Sequence, residues 1–238
     1  MKAKTVFIIT IVTSLLLAGC GKHSSTPKKT NCLINNISVE GTSYVINYNA
    51  DGKIKTIANS DNYILNYTYT GNTIMIIETH SGTFLDKFTI QLNNSGLPIS
   101  YFAEPDQSGI NWTKYDYEYN GSALSKETMT DASGNIKIVN FTFDGSNIVL
   151  GDNGSAFDYY TDKRQQPGDY LGYSQLLGAG DRFVFNCFMN KNLMKSFRDE
   201  TGETATFTYD FDSDGKITSM TIFNGSSSTQ VQYQYQCK

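Results

Sequence analysis

Few side chains in this chain have the types and spacing that chemistry needs. Asp210, Asp212 and Asp214, followed by Gly215, match the opening of a D-x-D-x-D-G loop, which surrounds a hard cation such as calcium with carboxylates. Such a loop needs a bidentate Glu at its twelfth position, where this chain has Thr221. The residues before Asp210 alternate as a strand, so calcium is the weaker reading and a hairpin arm entering a turn the stronger. Nucleophilic catalysis needs a base beside the nucleophile. His80 is the one histidine beyond His23, and it stands in Glu78-Thr79-His80-Ser81-Gly82, a strand end entering a turn. Carboxylate pairs hydrolyse glycosides by proximity alone, but Glu104-Pro105-Asp106 and Asp199-Glu200 read as solvated turns. The glycines stand singly and cradle no phosphate, there is no C-x-x-C for zinc, and no cofactor is implied. Binding is better served. Trp112, the single tryptophan, has parity opposite to Tyr115, Tyr117 and Tyr119, which turns it outward or to a strand end. Trp112, Tyr170 and Tyr173 are the candidate ligand-binding aromatics.

The elements that must carry these residues are strands. Tyr63, Leu65, Tyr67 and Tyr69 alternate with polar residues up to Gly71-Asn72, then Ile74 and Ile76 resume the alternation. The same pattern surrounds Asp51-Gly52, Ser95-Gly96, Asn120-Gly121, Asp144-Gly145 and Asp214-Gly215. Alternation at period two places these side chains on one face of a strand, and Asp-Gly or Asn-Gly supplies the positive φ of tight turns. Gly52, Gly71, Gly96, Gly121 and Gly145 recur at gaps of 19 to 25 residues, room for two strands and two turns. One such hairpin offers four to six large apolar side chains at roughly 2 kcal/mol each. Ordering its ~20 residues costs on the order of 20–30 kcal/mol. Hairpins must therefore pair edge to edge. The expected fold is all-β: a long, twisted antiparallel meander of stacked hairpins, curled or folded over an aromatic core. Residues 157–181 break the rhythm and predict an irregular insertion, with a short helix at Tyr170–Leu177 ended by Gly178, serving either function or as a plug over the sheet.

Residues 1–19 read as a signal peptide, with Lys2 and Lys4 before an apolar run from Val6 to Leu17 that is too short to span a bilayer as a helix. The Leu17-Ala18-Gly19-Cys20 ending resembles the lipobox of bacterial lipoproteins. That resemblance implies cleavage before Cys20 and acylation there, with more than one chain in the bilayer and hence stable anchoring. Residues 20–31 form the lipidated end and a tether without large apolar side chains. Its Lys22, Lys28 and Lys29 are basic, where the surface-export signal of Bacteroidota-type lipoproteins is acidic, so an outer-membrane location facing the periplasm is favoured.

Residues 32–238 form a single domain. Five of the 19 Lys and Arg residues precede it, leaving 14 against 23 carboxylates, a balance that excludes nucleic acid as a partner. Cys32, Cys187 and Cys237 allow three disulfide pairings. Cys32 opens the domain and Cys237 nearly closes it, which makes them the expected pair. An acidic, polar domain behind a lipid anchor also argues against a transmembrane barrel.

The run Tyr209-Asp210-Phe211-Asp212-Ser213-Asp214-Gly215-Lys216-Ile217-Thr218 resembles the Tyr-Asp hairpin repeats of large bacterial wrapping proteins. The lipobox, the cysteine after the tether, the aromatic hairpins and the Tyr233-Gln234-Tyr235-Gln236-Cys237 ending resemble small Bacteroidota lipoproteins with a domain of unknown function. That resemblance implies a β-hairpin fold and no activity. The expected role is a membrane-anchored binding or scaffold module for a glycan or an envelope protein. A carrier of apolar ligands and a carboxylate glycan hydrolase are the alternatives.

Overall fold

The computed structural model describes residues 32–169 and 190–237. Contacts gather Cys32–Lys238 into one unit. Among the described residues there are sixteen strands and no helix. The first eight are β1 (Cys32–Val39), β2 (Thr42–Tyr48), β3 (Ile54–Asn59), β4 (Tyr63–Thr70), β5 (Thr73–His80), β6 (Thr83–Leu92), β7 (Pro98–Glu104) and β8 (Thr113–Asn120). The second eight are β9 (Ala123–Asp131), β10 (Ile136–Phe143), β11 (Ile148–Gly151), β12 (Ala156–Arg164), β13 (Asn192–Arg198), β14 (Thr204–Phe211), β15 (Ile217–Phe223) and β16 (Ser228–Cys237).

Each strand pairs antiparallel with the next, as the alternation requires. The sheet does not stop at a free edge: β1 pairs with β16 from Cys32↔Cys237 to Val39↔Val231, and the meander closes into a barrel. Closure removes both edges, which open sheets must otherwise protect. A disulfide joins Cys32 to Cys237 across this last seam. Pairing between residues so far apart leaves no local trace in a sequence, which is why the curled sheet was expected without its closure.

The side-chain alternation sets inside and outside. On β14, Ala205, Phe207 and Tyr209 are buried and Thr204, Thr206 and Thr208 exposed. On β16, Val231 and Tyr233 are buried and Gln230, Gln232 and Gln234 exposed. On β4, Leu65 and Tyr67 are buried and Asn66 and Thr68 exposed. A circular barrel of sixteen strands holds a channel of water. Here Ile37, Ile90, Ile217 and Val231 are 0% exposed within one continuous core cluster, so protein atoms close the lumen around them. Full burial of a side chain such as Phe207 contributes about 2–3 kcal/mol. These outward residues of β4, β14 and β16 are polar, whereas those of a transmembrane barrel form an apolar band about 25 Å tall. Among the described residues the exposed large apolar side chains are Val45 on β2, Ile99 on β7, Ile136, Ile138 and Phe143 on β10, Leu150 on β11, Phe211 at the end of β14, Phe223 on β15 and Ile110 in the loop before β8.

Because the strands alternate in direction, turns alternate between two ends. The glycine turns at 52, 71, 96, 121, 145 and 215 all lie at the end where Cys32 and Cys237 meet. At Gly52 and Gly145, φ values of 83° and 93° explain why no other residue suits the turn. The sequence repeat is therefore one hairpin per period, seen from one end. That end also carries a recurring clasp. Tyr48, Tyr69, Tyr119, Tyr209 and Tyr235, each near the end of an even-numbered strand, donate to carbonyls of Ile34, Ile54, Pro98, Met194 and Ile217 on the preceding strand, at 2.5 to 3.0 Å. Burial pushes the hydroxyls of Tyr48 and Tyr69 up to about 12.

The segment expected to be irregular begins differently. Its residues 157–164 belong to β12, and the rhythm breaks through bulges rather than through loss of the strand. Residues 165–169 turn back into the barrel end, where the Tyr235 hydroxyl also donates to the Pro167 carbonyl (3.1 Å) and Asp169 is buried. A Cβ on Gly168, at φ 92°, would stand 3.0 Å from that hydroxyl. The expected helix at Tyr170–Leu177 lies outside the described residues.

Candidate functional site

The wall is least regular at β11 to β13. β11 is short, and its pairing with β12 is the single register pair Leu150↔Ala156. On the other side, β12 pairs with β13 at Tyr159↔Met194 and next at Arg164↔Asn192, so residues 160–163 stand opposite Leu193 alone. Three extra residues form an excursion larger than a simple bulge, and bulges are frequent beside functional sites.

Asparagine side chains replace the missing ladder. Asn147 Oδ1 accepts the amides of Lys191 (2.9 Å) and Asn192 (3.0 Å), and Asn190 Oδ1 accepts the amide of Ile148 (2.8 Å). The Lys191 amide also donates to the Ser146 carbonyl, and the Gln165 amide to the Lys191 carbonyl. Asn192 Nδ2 donates to the carbonyls of Thr161 (3.5 Å) and Lys163 (3.4 Å), bracing the excursion from within. Both Asn147 and Asn190 are 5% exposed. Amides at the start of β11 and β13 are thus satisfied by side chains where strand partners are missing.

A cleft of about 570 Å³ opens between these pieces, within the usual range for small-ligand sites. Asp144, Ser146, Asn147 and Val149 line one side, Phe157 and the run from Asp158 to Asp162 with Arg164 another, and Lys191 and Asn192 a third. Asp144 is committed to its own turn, its carboxylate accepting the amides of Ser146 and Asn147, both at 2.7 Å. Asp158 accepts the Tyr159 amide at 3.0 Å and pairs with Lys195 at 3.3 Å. The Tyr160 hydroxyl donates to the Phe207 carbonyl at 2.9 Å, and Lys163 Nζ stands 4.1 Å from its ring centre. Burial drives the Tyr159 hydroxyl upward, Asn190 beside it opposes the shift, and Asp144 and Asp169 reinforce it. Neither that hydroxyl nor Asn190 Nδ2 has a well-aligned partner, so this buried polar pair lies behind the cleft unsaturated.

The residues expected from sequence fall elsewhere. Trp112 precedes β8 at the end opposite Cys32, half-buried and stacked on Phe102 with ring centres 5.4 Å apart. Its loop is held by Asp106, whose carboxylate accepts the Ser108 hydroxyl and Asn111 Nδ2; these bonds pull it down to about 2. Tyr170, Tyr173, Cys187 and Cys20, the expected acylation site, lie outside the described residues. The three aspartates of the calcium reading form a turn instead. Asp212 accepts the amides of Asp214 and Lys216, both at 2.9 Å, Lys216 pairs with Asp212 and Asp214, and Asp210 accepts the Ser219 hydroxyl at 2.6 Å. Among the described residues no group of three His, Cys, Asp or Glu is placed to hold a metal. His80 ends β5, exposed and 5.3 Å from the Tyr63 ring. Glu104 pairs with Lys87 at 2.7 Å, and Glu200 with Lys137.

The cleft's Asn147, Lys191 and Asn192, and the buried Asn190 next to them, were missed in the sequence. In a chain rich in Asn they read as turn residues. The break in rhythm after Phe157 was the one signal pointing here.

The barrel is similar to that of a porin-like protein. That solved structure, from Bacteroides uniformis, superposes with a TM-score of 0.59 at 15% identity, covering 85% of this chain and 98% of its own. At this identity the likeness concerns the fold. No protein-family model matches the sequence, and neither does any curated protein.

Proposed function

We propose that this protein is a lipid-anchored envelope module whose barrel stands in water and binds a ligand, rather than an enzyme or a membrane-spanning pore. The observation that carries this reading is the direction of the barrel's polarity. Thr204, Thr206, Thr208, Gln230, Gln232 and Gln234 face outward while Phe207, Tyr209, Val231 and Tyr233 fill the inside. Setting such a face against lipid would strand its polar groups without partners, so the acyl chains on Cys20 supply the attachment. The basic tether favours the periplasmic face of the outer membrane. The closed core weighs against a carrier, which needs an open apolar hollow. The commitments of Asp144 to its turn and of Asp158 to Lys195 weigh against a carboxylate hydrolase.

Fractionation of envelopes tests the reading. Wild-type protein is expected in the membrane fraction and extracted only by detergent, and Cys20→Ser in the soluble fraction without it. A Cys20→Ser protein that stays integral, or wild-type protein that opens ion conductance in planar bilayers, would overturn it.

A further inference from the structure

We infer that the cleft between β11 and β12 is a binding site for a neutral, hydroxyl-rich ligand, a saccharide of one or two rings. This inference rests on the proposed binding role and names its site and ligand class.

The lining narrows the chemistry. An apolar ligand finds little, since among the described residues that line the cleft only Val149 and Phe157 are wholly apolar. A phosphate-bearing ligand needs a surplus of cations, whereas Arg164 and Lys191 stand among Asp144, Asp158 and Asp162. What remains is a set of paired acceptors and donors with an aromatic ring beside them. Asp162 offers two carboxylate oxygens and Arg164 a fork of donors, groups that grip neighbouring hydroxyls two at a time, while Asn192 is held by Asn147 and by the carbonyls of Thr161 and Lys163. Tyr160 lines the cleft with its hydroxyl fixed to the Phe207 carbonyl and Lys163 Nζ over one face of its ring, and the ring surface left beside the cleft is what a sugar's C–H groups need.

The site is also built rather than incidental. β12 gives up ladder pairing over residues 160–163 to make it, and Asn192 ties the excursion down at the carbonyls of Thr161 and Lys163. The buried Asn147 and Asn190 hold the facing wall. Ligand-facing groups braced from behind are already in place before binding, which lowers the ordering cost. Thr161, Asp162 and Arg164 are exposed at the mouth, so their replacement tests binding without disturbing the barrel.

The test is titration calorimetry on the full lipidated protein in a non-glycosidic detergent. The probes are glucose, galactose, xylose and N-acetylglucosamine, with a β-linked disaccharide of each. At least one is expected to bind with a dissociation constant of roughly 0.1–1 mM. Asp162→Ala and Arg164→Ala should each weaken it at least about 10-fold, equivalent to about 1.4 kcal/mol, at unchanged melting temperature. Trp112→Ala, at the opposite end, should bind as wild type. Silence from every probe overturns the inference. So does wild-type affinity in both cleft variants, or loss of binding in Trp112→Ala, which would move the site to the aromatic pair. Failure here is distinct from failure of the anchored-module reading, which the fractionation of Cys20→Ser decides by itself.

Discussion

The hairpins β3–β4 and β11–β12 are built to the same plan and end differently. In the first, Thr56 to Ala58 pair in register with Asn66 to Ile64, and the Tyr69 hydroxyl locks the end of the hairpin to the Ile54 carbonyl at 3.0 Å. In the second, one register pair survives, and Asn147 and Asn190 reach across the chain to reinforce the few backbone bonds that join these segments. The difference teaches where stability and function divide in this barrel. Regular hairpins earn their order from apolar burial and a repeated ladder, whereas the seam spends backbone pairing to open a cleft and recovers order through three asparagines.

Core truncation should separate the two regions most strongly. Phe207, 1% exposed inside the regular wall, should lose about 3–5 kcal/mol as Phe207→Ala, by transfer and cavity terms together. Val149, half-buried at the cleft, should lose less than about 1.5 kcal/mol as Val149→Ala. Urea unfolding followed by far-ultraviolet circular dichroism measures both. Equal losses would erase the distinction between wall and seam.

Asn147→Ala should rank next. It strands the amide of Asn192 and leaves that of Lys191 to the Ser146 carbonyl alone, and should destabilise by about 1–3 kcal/mol. Hydrogen exchange sharpens the expectation: protection should fall first at Ile148, Lys191 and Asn192 and hold at β3 and β4. Uniform loss across the barrel would show that the seam is no separate unit.

The smallest effect concerns the clasps. Tyr48 and Tyr69 are raised by burial to about 12 from an ordinary value near 10. The unfolded chain therefore releases these protons first. Their contribution is fully present below pH 10 and is lost as pH rises from about 10 to 12. Melting temperature should drop across that window, and the drop should shrink in Tyr48→Phe with Tyr69→Phe. An unchanged drop in the double variant would assign the alkaline loss elsewhere.

How much of this was legible depended on the range of the interaction. Tyr63, Leu65, Tyr67 and Tyr69 announced β4 because alternation is local, and the glycine turns gave the hairpin period. Barrel closure joins Cys32 to Cys237 across 205 residues, a separation at which neither alternation nor turn chemistry speaks. The cysteines at the two ends were the trace it left. Trp112 was read as outward or terminal from parity, and it stands before β8, stacked on Phe102. The seam was half visible. The faltering pattern after Phe157 marked its place, but Asn147 bonds to partners 44 and 45 residues away, and within Asp144-Gly145-Ser146-Asn147 it looks like any turn residue.

The outward polarity of the barrel is the central claim, and labelling with a water-soluble maleimide tests it most directly. Single Thr208→Cys, Gln232→Cys and Asn66→Cys variants, each with Cys187→Ser, would be examined on lipidated protein anchored to vesicles. All three outward positions should react at the rate of an exposed thiol in water, before and after the vesicles are dissolved. Protection of these positions on intact vesicles, relieved by detergent, would mean that the wall faces lipid and would contradict the account.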